Sequence, residues 1–249
     1  MQGNEWFRLW FGSPYYDLLY KNRNSEEAAT LIDKLTLYLQ IPEHSFILDA
    51  ACGKGRHSIA LAAKGFDVIG IDICPPAIME AKQFETDKLH FYVHDIRSPF
   101  YINYFNYAFN FFTSFGYFKT MREHNDAMRT IAQSIKPNGI FVLDYLNVPV
   151  AEQNLKHTET KEINNVVFDI ERRSDDKYFY KSIHIDDKEK NVSETFTEKV
   201  EKFSLDDFTA MLSLQGLQIQ KVFGDYDLND YEEKKSERMM IVAKKTLFI

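Results

Sequence analysis

Apolar and polar positions follow two rhythms along this chain. Between Ser25 and Gln40, the residues Ala28, Leu31, Ile32, Leu35, Tyr38 and Leu39 recur at helical spacing, with Ser25 placed to cap the helix. The run "FILDA" (46–50) is short and apolar up to its acid, as a buried strand is. A helix is predicted from about Gly55 to Gly65, followed by a strand over "FDVIGID" (66–72). "PPAIMEAKQF" starts a helix with prolines in its first turn, where a missing amide donor costs little. Strands are predicted over "LHFYVHD" (89–95), "YAFNFF" (107–112) and "IFVLDYL" (140–146). Between the last two lies a helix from Thr120 to Lys136, with Thr120 and Glu123 spaced as a capping box and Pro137-Asn138-Gly139 as the stop. Alternating strands and helices require parallel pairing through crossovers. The predicted fold class is α/β, a doubly wound Rossmann-like sheet.

After about residue 157 the rhythm changes. "EINNVVFDIER", "KYFYKSIHID" and "VSETFTEKVEKF" are β-rich, partly alternating, and broken by charged turns such as Ser174-Asp175-Asp176-Lys177. They read as a small antiparallel β insertion. "SLDDFTAMLSLQG" returns to a helix, capped by Ser204 with Asp207 three residues on and ended by Gly216. "LQIQKVFGD" and "ERMMIVAKK" are two closing strands with no second core to join, so they complete the first sheet. The expected organisation is an N-terminal helical cap over 1–45, a core over 46–156 and 204–249, and the insertion over 157–203. No repeat or low-complexity segment breaks this pattern.

Composition narrows the class. The chain has 249 residues, 45% hydrophobic, with a formal net charge of −7, which argues against a nucleic-acid partner. Cys52 and Cys74 each follow an apolar run and read as reduced thiols rather than a disulfide framework. The start "MQGNEWFRLWFGS" has neither the basic region nor the apolar run of a signal peptide, and no apolar run approaches the roughly 20 residues of a membrane span. The expectation is a cytoplasmic protein with no membrane and no DNA partner.

The candidate chemistry lies in "ILDAACGKGRHS" (47–58), a strand, a Gly-rich turn and a helix start. A phosphate loop of the type G-x-x-x-x-G-K-[ST] is excluded, because Lys54 falls between the glycines. A nicotinamide turn matches at Gly53 and Gly55 but meets Ser58 in place of its third glycine. Asp49 would also repel a pyrophosphate. It suits a ligand that carries a cation and no phosphates. S-adenosylmethionine is such a ligand. Asp49 and the loop carbonyls would face its ammonium, and the loop amides and Arg56 its carboxylate. Asp72 would face the ribose hydroxyls and Asp95 the adenine amino group, with Ile73 and Ile96 against the ring.

The stretch "LDAACGKGRHSIALAAKGFDVIGID" resembles the glycine-rich loop and second-strand acid of class I S-adenosylmethionine-dependent methyltransferases. "HDIRSPF" resembles their third-strand acid segment. "FNFFTSFGYFKT" resembles the fourth-strand segment of a subgroup that includes small-molecule and amino-sugar N-methyltransferases. The resemblance covers roughly 14–150 and 204–249. It implies a seven-stranded, mostly parallel sheet with a final antiparallel strand, and S-adenosylmethionine as cofactor. Ala51 departs from the glycine that many members carry. The resemblance also places Asn110 and Phe111 at the pocket edge, keeps Ala51 and Cys52 in the cofactor loop for packing rather than reaction, and makes the Tyr-rich segment "SPYYDLLYKNR" (13–23), through Tyr16 and Tyr20, a lid on the cofactor.

Ser114, Tyr117, Tyr145 and Asn147 follow the fourth and fifth strands, and Tyr117, Tyr145 and Asn147 are the acceptor-side candidates. His44, His57 and His94 lack ligand spacing and read as satisfied polar residues, and no metal is expected. The expected activity is methyl transfer to a small-molecule acceptor by in-line displacement, with the 157–203 insertion serving as a lid or supporting a homodimer. The place after the fourth strand, "NFFTSFGY", lacks the Asn/Asp-Pro-Pro-Tyr/Phe segment of DNA amino-methylating enzymes. RNA or protein acceptors, a nicotinamide oxidoreductase and a non-catalytic cofactor-binding protein stay as alternatives.

Overall fold

The computed structural model describes residues 5–21 and 25–246. Asn22 and Arg23, part of the Tyr-rich segment, lie outside them. The chain opens with two short helices, α1 (Trp6–Trp10) and α2 (Pro14–Leu19), the second capped by Ser13, whose side chain accepts from the Tyr15 amide. Then come α3 (Ser25–Leu39), β1 (Phe46–Ala50), α4 (Arg56–Ala63), β2 (Asp67–Asp72), α5 (Pro75–Ala81), β3 (Leu89–Val93), β4 (Phe105–Asn110), α6 (Met121–Ser134) and β5 (Ile135–Leu146). A short helix α7 (Val148–Gln153) leads to β6 (Thr158–Ile163), β7 (Val166–Ser174), β8 (Tyr178–Asp187) and β9 (Val192–Glu201). The chain returns through α8 (Leu205–Ser213), β10 (Leu217–Phe223) and β11 (Arg238–Lys245).

Seven strands form one sheet in the order β10-β11-β5-β4-β1-β2-β3, and the other four form a separate antiparallel sheet, β6-β7-β8-β9. In the large sheet β1 to β5 pair in parallel, while β11 runs antiparallel to both β5 and β10. The α/β expectation and its antiparallel final strand therefore hold. Both faces are covered, which is why the strands read as continuous apolar runs. On β1, Ile47 joins the core packed by α3, α4 and α5, and its neighbour Leu48 joins the core packed by α6 and α8. Both anticipated capping boxes form, Thr120 with Glu123 and Ser204 with Asp207.

Three local differences have physical causes. The segment 162–172 is not one strand: Asn164 and Asn165 both take positive φ, 51° and 63°, and turn β6 back as β7. Asn tolerates that conformation, and two such residues suit a tight hairpin. β5 starts at Ile135 rather than 140, because Ile135 already pairs with Phe105 before a register shift. Finally, α7 begins with a proline in its first turn, Pro149, a start signal that the sequence carried unread.

The two helices at the N-terminus tie the sheets together. Phe7 enters the core of the large sheet, and Trp10, three residues on, enters the core over the small sheet with Phe168, Ile170, Ile183 and Ile185.

Candidate functional site

In an open α/β sheet, ligands gather at the carboxyl ends of the parallel strands. Here that edge opens into a cavity of about 730 Å³, within the range of small-molecule sites. Its floor and walls are the loops after β1 to β4, and its roof is α1, α2 and β9.

The loop after β1 is built from buried polar contacts. Asp49 is buried, and its Oδ2 accepts from Ser58 Oγ at 2.6 Å. Burial pushes the Asp49 carboxyl up to about 6, against the pull of Ser58 and with the help of nearby Asp72. Ser58, the residue that spoils the nicotinamide pattern, is thus a partner of the loop acid. Ala51 and Gly53 follow at φ 62° and 56°. A side chain at Gly53 would project into open space. Gly55 does not line the cavity: at φ 82° it packs so tightly that a Cβ there would lie 2.5 Å from Phe91 Cζ. What the structure shows for it is close packing of the α4 start against β3. Cys52 is buried, and burial beside Asp49 and Asp72 holds its thiol far above the usual range, so it is no nucleophile at neutral pH.

Asp72 caps this loop from β2. Its Oδ2 accepts the Gly53 amide and its Oδ1 the Cys74 amide, both at 2.8 Å. Burial raises the Asp72 carboxyl, with those two amides opposing. Ile73 and Ile96 both line the cavity. Asp95 also reaches it, just past the end of β3, but is not free to act alone. Arg97 donates to both of its oxygens, Nε at 3.0 Å to Oδ1 and Nη2 at 2.6 Å to Oδ2. Burial alone would raise the Asp95 carboxyl, but Arg97 holds it below the usual range. The same guanidinium binds Glu5 at 2.8 Å and Glu123 at 2.9 Å, joining the N-terminal segment and α6 to this corner.

The loop after β4 is strained and locked. Phe112 and Thr113 both take φ 57°, a conformation that non-glycine residues hold only when their surroundings impose it. Buried Asp144 on β5 imposes it. Its Oδ2 accepts the Phe112 amide at 2.8 Å and the Tyr226 hydroxyl at 3.0 Å, and its carbonyl accepts the Thr113 amide. Arg238, first residue of β11, donates from Nε to Asp144 Oδ1 at 2.9 Å and from Nη2 to Thr113 Oγ1 at 2.9 Å. Thr113, Arg238 and Leu146 line the β4–β5 side of the cavity. Phe111 lines it too, but Asn110 does not: its Nδ2 donates to the Ala50 carbonyl at 2.8 Å, and it supports the loop from behind. His57 lines the cavity against Phe111 and Phe112. Contrary to expectation it is unsatisfied: Nε2 is buried without a hydrogen-bond partner, and burial next to Arg56 lowers its pKa to about 3. His94 does have a partner, the Ser98 carbonyl at 3.0 Å. No cluster suited to a metal ion occurs among the described residues. Arg56 starts α4, lies 4.2 Å over the Phe112 ring and pairs with Glu27 at 3.3 Å.

Tyr16 and Tyr20 in the roof and Tyr117 in the loop after β4 all line the cavity. Tyr16 packs on Tyr20 with centroids 4.8 Å apart, and Phe11 packs on both Tyr16 and Tyr117. Lys54 ties the loop to the roof through Asp17, and to α5 through Glu80, each at 2.6 Å. Two acceptor-side candidates turn away. Tyr145 is fully buried and its hydroxyl donates to the Glu201 carbonyl. Asn147 is buried, donating to the Glu233 and Ser236 carbonyls at 2.7 Å each and accepting from the Tyr231 hydroxyl. Neither lines the cavity. Thr113, Glu198 and Arg238 line it in their place, and no local pattern along the chain marks them.

The sheet order and the acids at successive strand ends define a class I S-adenosylmethionine-dependent methyltransferase. The residues fit that cofactor: carboxylates but no phosphate cradle, and open space over Gly53. Comparison with known proteins agrees. Residues 20–222 match a family described as methyltransferase domain, and the chain belongs to that family. It is 27% identical over 228 residues to the putative methyltransferase YqeM of Bacillus subtilis, covering 86% of this chain and 90% of that protein. It is 30% identical over 131 residues to a dTDP-3-amino-3,4,6-trideoxy-alpha-D-glucopyranose N,N-dimethyltransferase of Streptomyces venezuelae, a match that spans 52% of this chain and 54% of that one. Among solved structures, the sugar N-methyltransferase KedS8 of Streptoalloteichus superposes with a TM-score of 0.75 at 19% identity, covering 93% of each chain. No helix among the described residues is long and apolar enough to cross a membrane.

Proposed function

We propose that the protein transfers a methyl group from S-adenosylmethionine to a small-molecule acceptor held between the β4 loop and the roof. The carrying observation is that Asp49, Asp72 and Asp95, from three successive strand ends, all line one cavity. In this reading Asp49 and the 51–56 loop hold the methionine end, Asp72 the ribose, and Ile73 and Ile96 the adenine. Bound there, S-adenosylmethionine supplies a methyl group already activated by its sulfonium charge. The chain's own contribution is to align the acceptor and exclude water. Tyr16, Tyr20, Phe11 and Tyr117 form the cover that does so.

The aromatic roof over part of the cavity supports a small acceptor. The relatives named for amino-sugar methylation support the same class. Strand β9 is pinned over the β4–β5 side, its Glu201 amide donating to the Gly116 carbonyl at 2.8 Å. On that ground we read the small sheet as the acceptor-side cover. Calorimetry with S-adenosylhomocysteine and with NAD tests the cofactor reading. Micromolar binding of the first and none of the second is expected. Binding of NAD alone would overturn it. Deleting 157–203 should remove acceptor turnover and leave S-adenosylhomocysteine binding.

A further inference from the structure

Glu198 is a carboxylate in the roof, and no step of cofactor binding uses it. It lies on β9 and lines the cavity with a side chain 18% exposed. Three residues on, the strand is fixed over the β4 loop and β5 by the Glu201 contacts to Gly116 and Tyr145. Glu198 therefore hangs from the roof over the cavity, on the strand that is tied to the β4 loop.

Its surroundings orient it. Trp10 Nε1 donates to Glu198 Oε1 at 2.7 Å, and the Tyr20 hydroxyl donates to the same oxygen at 3.0 Å. Lys181 Nζ, which also bonds the Tyr20 hydroxyl, stands 3.9 Å from that oxygen. All of these contacts are on Oε1. Oε2 makes none of them, and it is not among the sealed, unpartnered atoms of the interior. The other strong charge on that side, Arg238, is matched by buried Asp144. A carboxylate held rigid by one oxygen, with the other open to a pocket, is built to take a charged hydrogen-bond donor.

We propose that Glu198 is the acceptor-recognition residue and that the acceptor carries a primary or secondary amine, taken as its ammonium ion by Glu198 Oε2; the ammonium proton would pass to that carboxylate, freeing the nitrogen lone pair to bond the methyl carbon as the methyl–sulfur bond breaks and S-adenosylhomocysteine leaves. This rests on the methyltransfer reading above. A purely structural role for Glu198 would need only an acceptor for Trp10 and Tyr20. Glu198→Gln keeps such an oxygen and removes only the charge, so it separates the two roles.

The test uses the full-length protein, tritiated-methyl S-adenosylmethionine, and a small-molecule extract of the source cells divided on a cation exchanger at about pH 5, where amines are cationic. Label is expected to enter compounds of the retained fraction. Glu198→Gln should cut that transfer by roughly tenfold or more, while its affinity for S-adenosylhomocysteine stays within about twofold of wild type. Label in the unretained fraction, or transfer by Glu198→Gln at the wild-type rate, would overturn the proposal. No label in any fraction from a protein that binds S-adenosylhomocysteine would overturn the methyltransfer reading and this proposal with it. Failure to bind S-adenosylhomocysteine at all would instead sink the cofactor assignment.

Discussion

Ser58 Oγ donates to Asp49 Oδ2 at 2.6 Å, and both residues are buried at the junction of β1 and α4. This bond orients the loop acid but does not offset its burial, and the carboxyl sits at about 6 instead of its ordinary 3.8. A ligand that brings a cation to this point needs the ionised form.

Affinity for S-adenosylhomocysteine, whose ammonium would face Asp49, should therefore rise about tenfold between pH 5 and pH 7 and flatten above. Asp49→Asn should bind weakly at every pH and lose the slope. Calorimetry across pH decides this, and a flat wild-type profile would count against the role given to Asp49.

The same shift has the opposite sign for the free protein. A carboxyl raised on folding binds its proton more tightly in the native state, so its contribution to stability falls as pH rises from about 4 through about 6. Asp49→Asn should then stabilise the ligand-free protein at pH 7 to 8, by up to about 3 kcal/mol, and have little effect near pH 4. Urea denaturation at both pH values measures it.

Ala51 holds a left-handed backbone at φ 62°, which suits glycine better than any residue with a Cβ. Ala51→Gly should be neutral or stabilising by up to about 1 kcal/mol, after the greater entropy of glycine in the unfolded chain is deducted. Gly55→Ala, in the same loop, should cost more than about 2 kcal/mol because the new Cβ meets the buried Phe91 ring. Thermal denaturation of the two variants should move in these opposite directions.

The large sheet was legible because strands covered on both faces read as unbroken apolar runs, and the acids that end them, Asp49 and Asp72, punctuate those runs. The loop after β1 was legible for the same reason. The acceptor side was not. Glu198 and Arg238 reach the cavity from strands far along the chain, and nothing in "SETFTEKVEKF" or "SERMMIVAKK" marks one charged residue as inward. Their places depend on how the small sheet docks. Tyr145 and Asn147 sat at the right strand end, yet docking of β9 and the 231–237 segment claimed both side chains.

Cys52 and Cys74 are both buried and their thiols are raised by burial. Neither should react with a thiol reagent in the native protein on a time scale of minutes at pH 8, and both should react at once in denaturant. Bound S-adenosylhomocysteine should slow the native reaction further by raising the free energy of opening. Rapid labelling of one thiol without denaturant would show that the loop opens locally.

Asp144 is the residue on which the acceptor-side loop depends. It accepts from Arg238, Tyr226 and the Phe112 amide, and through them it holds two residues at strained positive φ. Asp144→Ala removes the partner of an arginine that has little access to water, a class of change that costs about 3–5 kcal/mol. Asp144→Asn keeps acceptor capacity for the amide and the hydroxyl but loses the charge, so it should cost less. The strained loop loses its side-chain anchor in Asp144→Ala and should relax there, and acceptor turnover should then fall by more than S-adenosylhomocysteine affinity, because the anchored residues line the β4–β5 side of the cavity. Urea denaturation gives the first ordering, and turnover measured beside binding gives the second. Equal losses of turnover and cofactor affinity would show that the lock serves the whole crevice instead of its acceptor half.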